Sequence, residues 1–140
     1  MIEFHNVTKR YRGGVEALHN VSTRVDAGEM VFLTGHSGAG KSTLLRLITL
    51  VERSTRGHII IGGHNLTRIP PRRIPRFRRH IGVVFQDHRL LRDRTVFDNV
   101  ALPLVLSGHR HSEIGRRVRA ALDKVDLLGK EKLFPADRKS

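Results

Sequence analysis

The 140-residue chain carries a formal net charge of +13, from 26 Lys and Arg against 13 Asp and Glu, and it contains no cysteine. A disulfide framework and a thiolate metal site are therefore excluded, and the nine histidines lack the paired helical spacing and neighbouring carboxylates of a zinc site. No apolar run approaches the roughly 20 residues that cross a bilayer, so we expect any membrane link to go through a partner. The basic charge suits nucleic acid, an acidic lipid surface or an acidic protein, and charge alone does not choose among them.

The first half of the chain alternates strand-like segments with turns. Residues 2–25 alternate apolar and polar side chains around a Gly13-Gly14 turn, which predicts short antiparallel strands. The continuous apolar run at 30–34 predicts a strand buried on both faces. A glycine-rich loop follows at once, and apolar residues recur at helical spacing over 44–51, so we expect the loop to lead into a helix N-terminus.

Two further strands are predicted at 59–61 and 81–85, the second ending at Gln86. Between them lies a basic stretch that is interrupted by three prolines, which argue against one continuous helix. Its arginines are Arg68, Arg72, Arg73, Arg76, Arg78 and Arg79.

The second half of the chain predicts two helices. One covers 96–106 with Thr95 as its N-cap, and the other covers 112–128 with apolar residues at helical spacing. Ser107-Gly108 between them is a common turn pair, so we interpret it as a helix connection. The polar end at 135–140 has no evident structure.

The glycine-rich loop at 35–42 reads Gly-His-Ser-Gly-Ala-Gly-Lys-Ser and matches the P-loop pattern. Its glycines allow several backbone N–H groups to wrap a polyphosphate closely. The free N–H groups and positive dipole end of the following helix serve the same anion. Lys41 is placed to neutralise the outer phosphates, the Ser42 hydroxyl to ligate a bridging magnesium, and Thr43 to add a phosphate hydrogen bond. The predicted cofactor is ATP with Mg²⁺.

Residues on both sides of the loop extend this pattern to a family. With Tyr11 upstream and Gln86 after Val83-Val84-Phe85, the chain up to Pro135 resembles the ATP-binding cassette (ABC) ATPases. The resemblance implies that Tyr11 stacks on adenine and that Gln86 reaches magnesium and the attacking water. The alternative is that Tyr11 is a tyrosine packed in a sheet, because aromatic residues are common in strands.

The complete site prediction combines the motif and the resemblance. The predicted catalytic residues are Lys41 and Gln86, and the predicted metal ligands are Ser42 and Gln86. The predicted nucleotide-binding residues are Tyr11, Gly35, His36, Ser37, Gly38, Ala39, Gly40, Lys41, Ser42 and Thr43.

The resemblance also implies a fold and partners. We expect one partial α/β domain of the ABC-type P-loop NTPase class. Residues 1–90 hold an antiparallel β subdomain and part of the parallel core sheet, 91–134 begin the helical subdomain, and 135–140 are unstructured. The signature loop, Walker B strand, catalytic glutamate and switch histidine are expected to follow Pro135 in this family, outside the chain, so we expect ATP binding without efficient turnover. A homodimer, an integral membrane partner and a location at the cytoplasmic face of the inner membrane are implied.

Alternative functions account for fewer of these features. Within the family, the segments at 32–41, 85–88, 93–96 and 98–101 are similar to the branch that serves bacterial cell division, which is the function we expect, with lipoprotein-release and macrolide-export ATPases as the alternatives. A nucleic-acid-binding module would use the arginines at 68–79 on phosphates, but it leaves the P-loop unexplained, and Phe77 is the only aromatic residue among them. A small-molecule kinase would use the same loop but leaves Tyr11 and Gln86 unexplained.

Overall fold

A computed structural model describes residues 1–136 and divides into two compact units, one covering Met1–Ile81 and the other beginning at Gly82. The boundary predicted after residue 90 separates two subdomains of the family and not two compact units, so it stays a prediction. Pro135 and Ala136 form a turn. The rest of the predicted unstructured end, residues 137–140, lies outside the described residues.

The first unit is built on a four-stranded antiparallel sheet in the order β2-β1-β3-β4. This arrangement confirms the predicted antiparallel pairing near the N-terminus and the predicted strand at 59–61. The strands are β1 (Ile2–Arg10), β2 (Glu16–Val25), β3 (Arg56–Ile61) and β4 (His64–Asn65).

A register irregularity in β1 brings two side chains into the same core that a regular strand would point to opposite faces of the sheet. Phe4 and Val7 are both buried although they stand three positions apart, and the register with β2 shifts between them. Asn6 takes a positive φ of 47° at this point. A bulge that inserts one residue changes which face the following side chains occupy, so it explains how both residues reach the core.

Besides the short helix α2 (Ile74–Arg78), helix α1 (Lys41–Ile48) contributes to the core of the first unit. It buries Thr43 and Leu47, which are one turn apart on the same face. The predicted helix extended to residue 51, but α1 ends at Ile48 because Leu50 takes a φ of 54° and turns the chain. The core cluster comprises Phe4, Val7, Leu18, Leu47, Leu50, Ile59 and Leu66.

The strands predicted at 30–34 and 81–85 are wrong for the described residues. Neither segment is paired, and Phe32 is 78% exposed while Val84 is 96% exposed. A strand needs a neighbour to satisfy its backbone N–H and C=O groups, and apolar composition does not supply one. The described chain accordingly forms antiparallel pairs, and the part of a parallel core sheet that was expected does not form within residues 1–136.

The exposed apolar segment at 30–33 predicts self-association of the 140-residue chain. We expect Phe32→Glu to weaken that association roughly tenfold or more, since burying a phenylalanine contributes about 1.5–3 kcal/mol. Sedimentation velocity across a concentration series measures the change. Val15→Glu is the matched control, because Val15 is a 65% exposed valine in the β1–β2 turn. Equal self-association of the parent chain and Phe32→Glu would refute this prediction.

The second unit contains a helical hairpin. Helix α3 (Val96–Leu106) begins where the Thr95 hydroxyl accepts a hydrogen bond from the Asp98 N–H at 3.1 Å, which confirms the predicted cap. Helix α4 (His111–Asp123) buries Ile114, Val118 and Leu122, each one turn after the last. Ser107 and Gly108 connect the two helices, as predicted, with Gly108 at a φ of 75°.

Helix α4 is shorter than the predicted helix over 112–128. Asp126 adopts a φ of 56° and donates its N–H to the Asp123 carbonyl, while the Leu127 N–H bonds the Leu122 carbonyl at 2.9 Å. These two bonds close the helix end in the manner of a Schellman motif. Val125, which the helical spacing placed in the core, is therefore 60% exposed.

Candidate phosphate-binding site

The glycine-rich loop adopts the conformation that only glycine reaches easily. Gly38 and Gly40 have φ angles of 85° and 86°, in the left-handed region. Gly40 also lies against β2, where an added Cβ would stand 2.4 Å from the Ala17 carbonyl oxygen. Glycine at position 40 is therefore required twice, by its backbone angle and by this close approach, whereas the space beside Gly38 is open.

The N-terminus of α1 is open to an anion. Gly40 is its N-cap, no side chain caps it, and its first turn contains no acidic residue. The first N–H groups of any α-helix lack intrahelical acceptors, and the helix dipole adds partial positive charge at the same end. A phosphate group would satisfy these donors directly.

Lys41 already makes the kind of contact that a phosphate would replace. Its Nζ donates to the Gly35 carbonyl at 2.6 Å and to the His36 carbonyl at 2.7 Å. The ammonium is thereby held over the loop, close to where an outer phosphate would lie. These two bonds tie the lysine to the loop.

The loop, α1 and β2 enclose an open cavity of about 420 Å³. Its lining includes six of the predicted nucleotide-binding residues. It adds Ala17, which no sequence motif indicated, because the contact depends on how β2 packs against the loop. The lining residues are Ala17, Ser37, Gly38, Gly40, Lys41, Ser42 and Thr43.

The remaining loop residues shape the backbone beside this cavity. Gly35 and His36 supply the carbonyls that hold Lys41, and the Ala39 N–H donates to the His36 carbonyl at 3.2 Å. These contacts order the turn. Direct contact of Gly35, His36 and Ala39 with a nucleotide stays a prediction.

Tyr11 is tied to the phosphate loop by its hydroxyl. Its Oη lies 3.2 Å from Thr43 Oγ1, and Lys9 Nζ stands 5.0 Å from the centroid of its ring. Lys9 in turn pairs with Glu52 Oε2 at 3.3 Å. Burial acts to raise the pKa of Glu52, but Tyr11 and Lys9 outweigh it and leave that pKa below its ordinary value. Tyr11 is thus anchored beside the loop, while its stacking on adenine stays a prediction.

Gln86 belongs to the second unit and is exposed. Gln86 lies in a tight turn, in which the His88 N–H donates to the Phe85 carbonyl at 3.1 Å. The Arg89 guanidinium lies 4.1 Å from the centroid of the Phe85 ring. These contacts order the backbone around Gln86, and its predicted roles toward magnesium and water stay predictions.

A preformed carboxylate cage for a metal is not found in the described part of the chain. No group of three or more His, Cys, Asp or Glu residues could hold an ion within residues 1–136. The chemistry of the loop fits a magnesium that arrives with the nucleotide phosphates and takes Ser42 as a ligand, because Mg²⁺ sites in nucleotide enzymes need few protein ligands. Over the same residues, no helix combines the length and apolar character that crossing a bilayer requires.

Comparison with known proteins supports the class of protein that this site suggests. The family model described as ABC transporter matches residues 18–139. The chain therefore belongs to the ABC transporter family, whose members in general bind ATP with Mg²⁺.

Among individual proteins, the cell division ATP-binding protein FtsE of Escherichia coli (strain K12) is 57% identical over 135 residues, covering 96% of this chain and 61% of that protein. FtsE of Haemophilus influenzae is 47% identical over 136 residues, covering 96% of this chain and 62% of that protein. The methionine import protein MetN 1 of Pseudomonas syringae pv. syringae is 46% identical over 140 residues, covering 97% and 42% respectively. The chain thus spans about 61% of the length of the FtsE relatives.

A solved structure shows the same fold. The dimeric structure of a post-hydrolysis state of the ATP-binding cassette MJ0796 bound to ADP and Pi matches with a TM-score of 0.88 and 31% identity. The match covers 99% of this chain and 63% of that chain. The ABC-type α/β fold class is thereby confirmed, with the correction that the parallel pairing is not formed among the described residues.

Proposed function

We propose that this chain is the nucleotide-binding part of an FtsE-like ABC subunit and that it binds ATP with Mg²⁺ at the loop from Gly35 to Thr43. The observation that carries the proposal is the arrangement of Lys41, the first residue of the uncapped helix α1, whose ammonium is held by two loop carbonyls. An outer phosphate offers this ammonium a charged acceptor in place of two neutral ones, and charge-assisted hydrogen bonds are the stronger kind.

Each part of the site has a distinct task in this proposal. The loop backbone and the first N–H groups of α1 hold the phosphates, and Lys41 neutralises their charge. Ser42 is exposed at the cavity and ligates the magnesium, while Thr43 adds a hydrogen bond and positions Tyr11. Tyr11 then stacks on the adenine base.

The cell-division assignment follows from the relatives. FtsE of E. coli is 57% identical to this chain, against 46% for the MetN 1 relative, which favours an FtsE-like subunit over an importer. In the whole protein we propose ATP hydrolysis coupled to a membrane partner of the FtsX kind at the cytoplasmic face of the inner membrane. Gln86 would reach the magnesium and the attacking water there, and two copies would form the dimer that the ATP-binding cassette structures display.

Calorimetric titration of the 140-residue chain with Mg-ATP and with Mg-tripolyphosphate tests the site and its base contact together. We expect the parent chain to bind both ligands. Tyr11→Ala should lower the affinity for ATP roughly tenfold or more and the affinity for tripolyphosphate only a little, because stacking contributes about 1–3 kcal/mol per base and acts on the base alone.

Tyr11→Phe is the matched control, since it keeps the ring and removes only the hydroxyl beside Thr43. We expect its ATP affinity to stay near that of the parent. A parent chain that binds neither ligand would disprove the proposed function. If Tyr11→Ala instead loses the same affinity for both ligands, Tyr11 supports the structure of the loop and does not stack on the base.

A further inference from the structure

The first unit carries a long stretch of unbalanced positive charge that nucleotide binding does not use. Residues 53–81 contain eight arginines and no aspartate, glutamate or lysine. Clusters of one charge repel, and folded proteins usually intersperse the opposite sign to offset that repulsion. An acid-free arginine stretch on a folded unit therefore points to an anion outside the chain.

Two arginines of this stretch serve the fold. Arg53 donates to the carbonyls of Thr67 at 3.0 Å and Ile69 at 2.5 Å. Arg78 donates to the carbonyls of Thr49 at 2.9 Å and Leu50 at 2.7 Å, just beyond the C-terminus of α1. Both guanidinium groups are bonded to backbone carbonyls, so we do not count these two arginines as ligand-binding residues.

Other arginines of the stretch have no partner within the described residues. They are exposed and take part in neither a side-chain hydrogen bond nor an ion pair there, although elsewhere in the described chain arginines pair with acidic side chains, as Arg117 does with Glu113 at 2.6 Å. These partnerless arginines are Arg56, Arg68, Arg72, Arg73, Arg76 and Arg79.

Helical geometry gathers three of them on one face. A 3-10 turn over Pro71–Arg73 leads into helix α2 (Ile74–Arg78), and Ile74 and Phe77 pack against the core of the unit. Arg72 lies in the 3-10 turn, Arg76 in α2 and Arg79 at its C-cap, and their spacing of four and three residues along this helical path puts them on the side away from Ile74 and Phe77. We call these three residues the arginine face.

The composition of the arginine face limits the kind of ligand that it can bind. Each guanidinium offers a planar fork of donors that matches a phosphate group. Ile69, Ile74 and Phe77 already pack against the core of the unit, so these large apolar side chains do not serve as anchors for a protein partner. Phe77, its only aromatic neighbour, packs inward and is not free to stack on bases, and the five-residue α2 is short for reading a DNA groove.

We propose that the arginine face binds the phosphate headgroups of anionic phospholipids at a membrane surface. A lipid surface is flat and its headgroups move laterally, so three outward guanidinium groups can each find a phosphate without a shaped pocket. The binding is electrostatic, needs no nucleotide, and goes beyond the proposed nucleotide function because it uses none of the residues of the phosphate loop.

Vesicle flotation tests the proposal with the 140-residue chain, because bound protein floats while aggregates sink. We expect flotation with vesicles of phosphatidylglycerol and phosphatidylcholine and little flotation with pure phosphatidylcholine. Salt at about 0.5 M should release the chain, because the Debye length then falls to a few ångströms and the attraction is screened. The triple variant Arg72→Gln, Arg76→Gln, Arg79→Gln should lose on the order of 100-fold in partition coefficient, since each basic residue at an anionic surface contributes roughly a fivefold increase.

A charge-matched control separates this face from net charge. Arg92→Gln, Arg110→Gln, Arg116→Gln removes three exposed arginines from the second unit and should reduce flotation far less. The triple variant Arg72→Lys, Arg76→Lys, Arg79→Lys should retain most of the binding. Circular dichroism and the ATP titration show whether each variant is folded.

The proposal is wrong if the triple glutamine variant floats like the parent or like the charge-matched control. It is also wrong if a mixed-sequence DNA duplex, added at the same concentration of accessible phosphate, removes the chain from the vesicles, because the arginine face would then prefer nucleic acid. If the parent chain does not bind ATP, the proposed nucleotide function is wrong, but the vesicle experiment still tests the arginine face by itself.

Discussion

Lys41→Ala is expected to lower the affinity for Mg-ATP by about 100-fold or more, because hydrogen bonds to charged groups contribute about 1.5–3 kcal/mol each and this residue is placed to make more than one. In the parent chain the ammonium is held over the loop by the carbonyls of Gly35 and His36. Alanine removes the cation while the backbone N–H groups of the loop remain. Calorimetric titration measures the affinity of both chains.

The fold should survive this substitution. Lys41 bonds the loop carbonyls from an exposed position, so water can replace its ammonium at both oxygens. Lys124→Ala is the matched control, because it removes the same charge from the second unit, far from the loop in sequence. If Lys41→Ala binds Mg-ATP as tightly as the parent, the assignment of the loop to phosphate fails.

Gly40→Ala should destabilise the first unit by about 2–5 kcal/mol. The left-handed backbone at position 40 costs about 1–2 kcal/mol for a residue with a Cβ. An overpacked contact adds about 1–3 kcal/mol, since the new Cβ would stand 2.4 Å from the Ala17 carbonyl oxygen and 2.8 Å from Leu18 Cδ2. Urea denaturation followed by circular dichroism measures the loss.

Gly38→Ala provides a matched comparison for this experiment. Its φ of 85° nearly equals the 86° of Gly40, but no atom lies within 4 Å of its added Cβ. We therefore expect Gly38→Ala to cost only the backbone part, about 1–2 kcal/mol. Equal costs for the two variants would show that the approach of β2 to the loop is not rigid.

Features that depend on neighbouring residues in the chain could be predicted from the sequence. The Thr95 cap, the turn at Ser107 and Gly108, and the antiparallel strands near the N-terminus follow from local pattern, and the structure contains all of them. The loop was also predictable, because the glycine positions and Lys41 form a contiguous motif with a physical purpose. Such features require no knowledge of distant partners.

Features that depend on a distant partner could not be predicted. The apolar runs at 30–34 and 81–85 have strand-like composition, yet they stay unpaired because no described strand pairs with them. Ala17 reaches the phosphate cavity only through the packing of β2 beside the loop. The bond between Tyr11 and Thr43 likewise joins residues 32 positions apart. Long-range register carries no local signature, so these contacts had to be observed.

Arg78 illustrates how composition can hide a difference in what a residue does for the fold. Beside its neighbours it is one more exposed arginine in a basic stretch, and a count of charges treats all of them as interchangeable. Its Nε and Nη2 nevertheless bond two successive carbonyls where the phosphate-loop helix ends. Lysine preserves the charge but has a single nitrogen in place of that two-armed fork. Position 78 should therefore tolerate fewer residues than positions 72, 76 and 79, where any long cation serves.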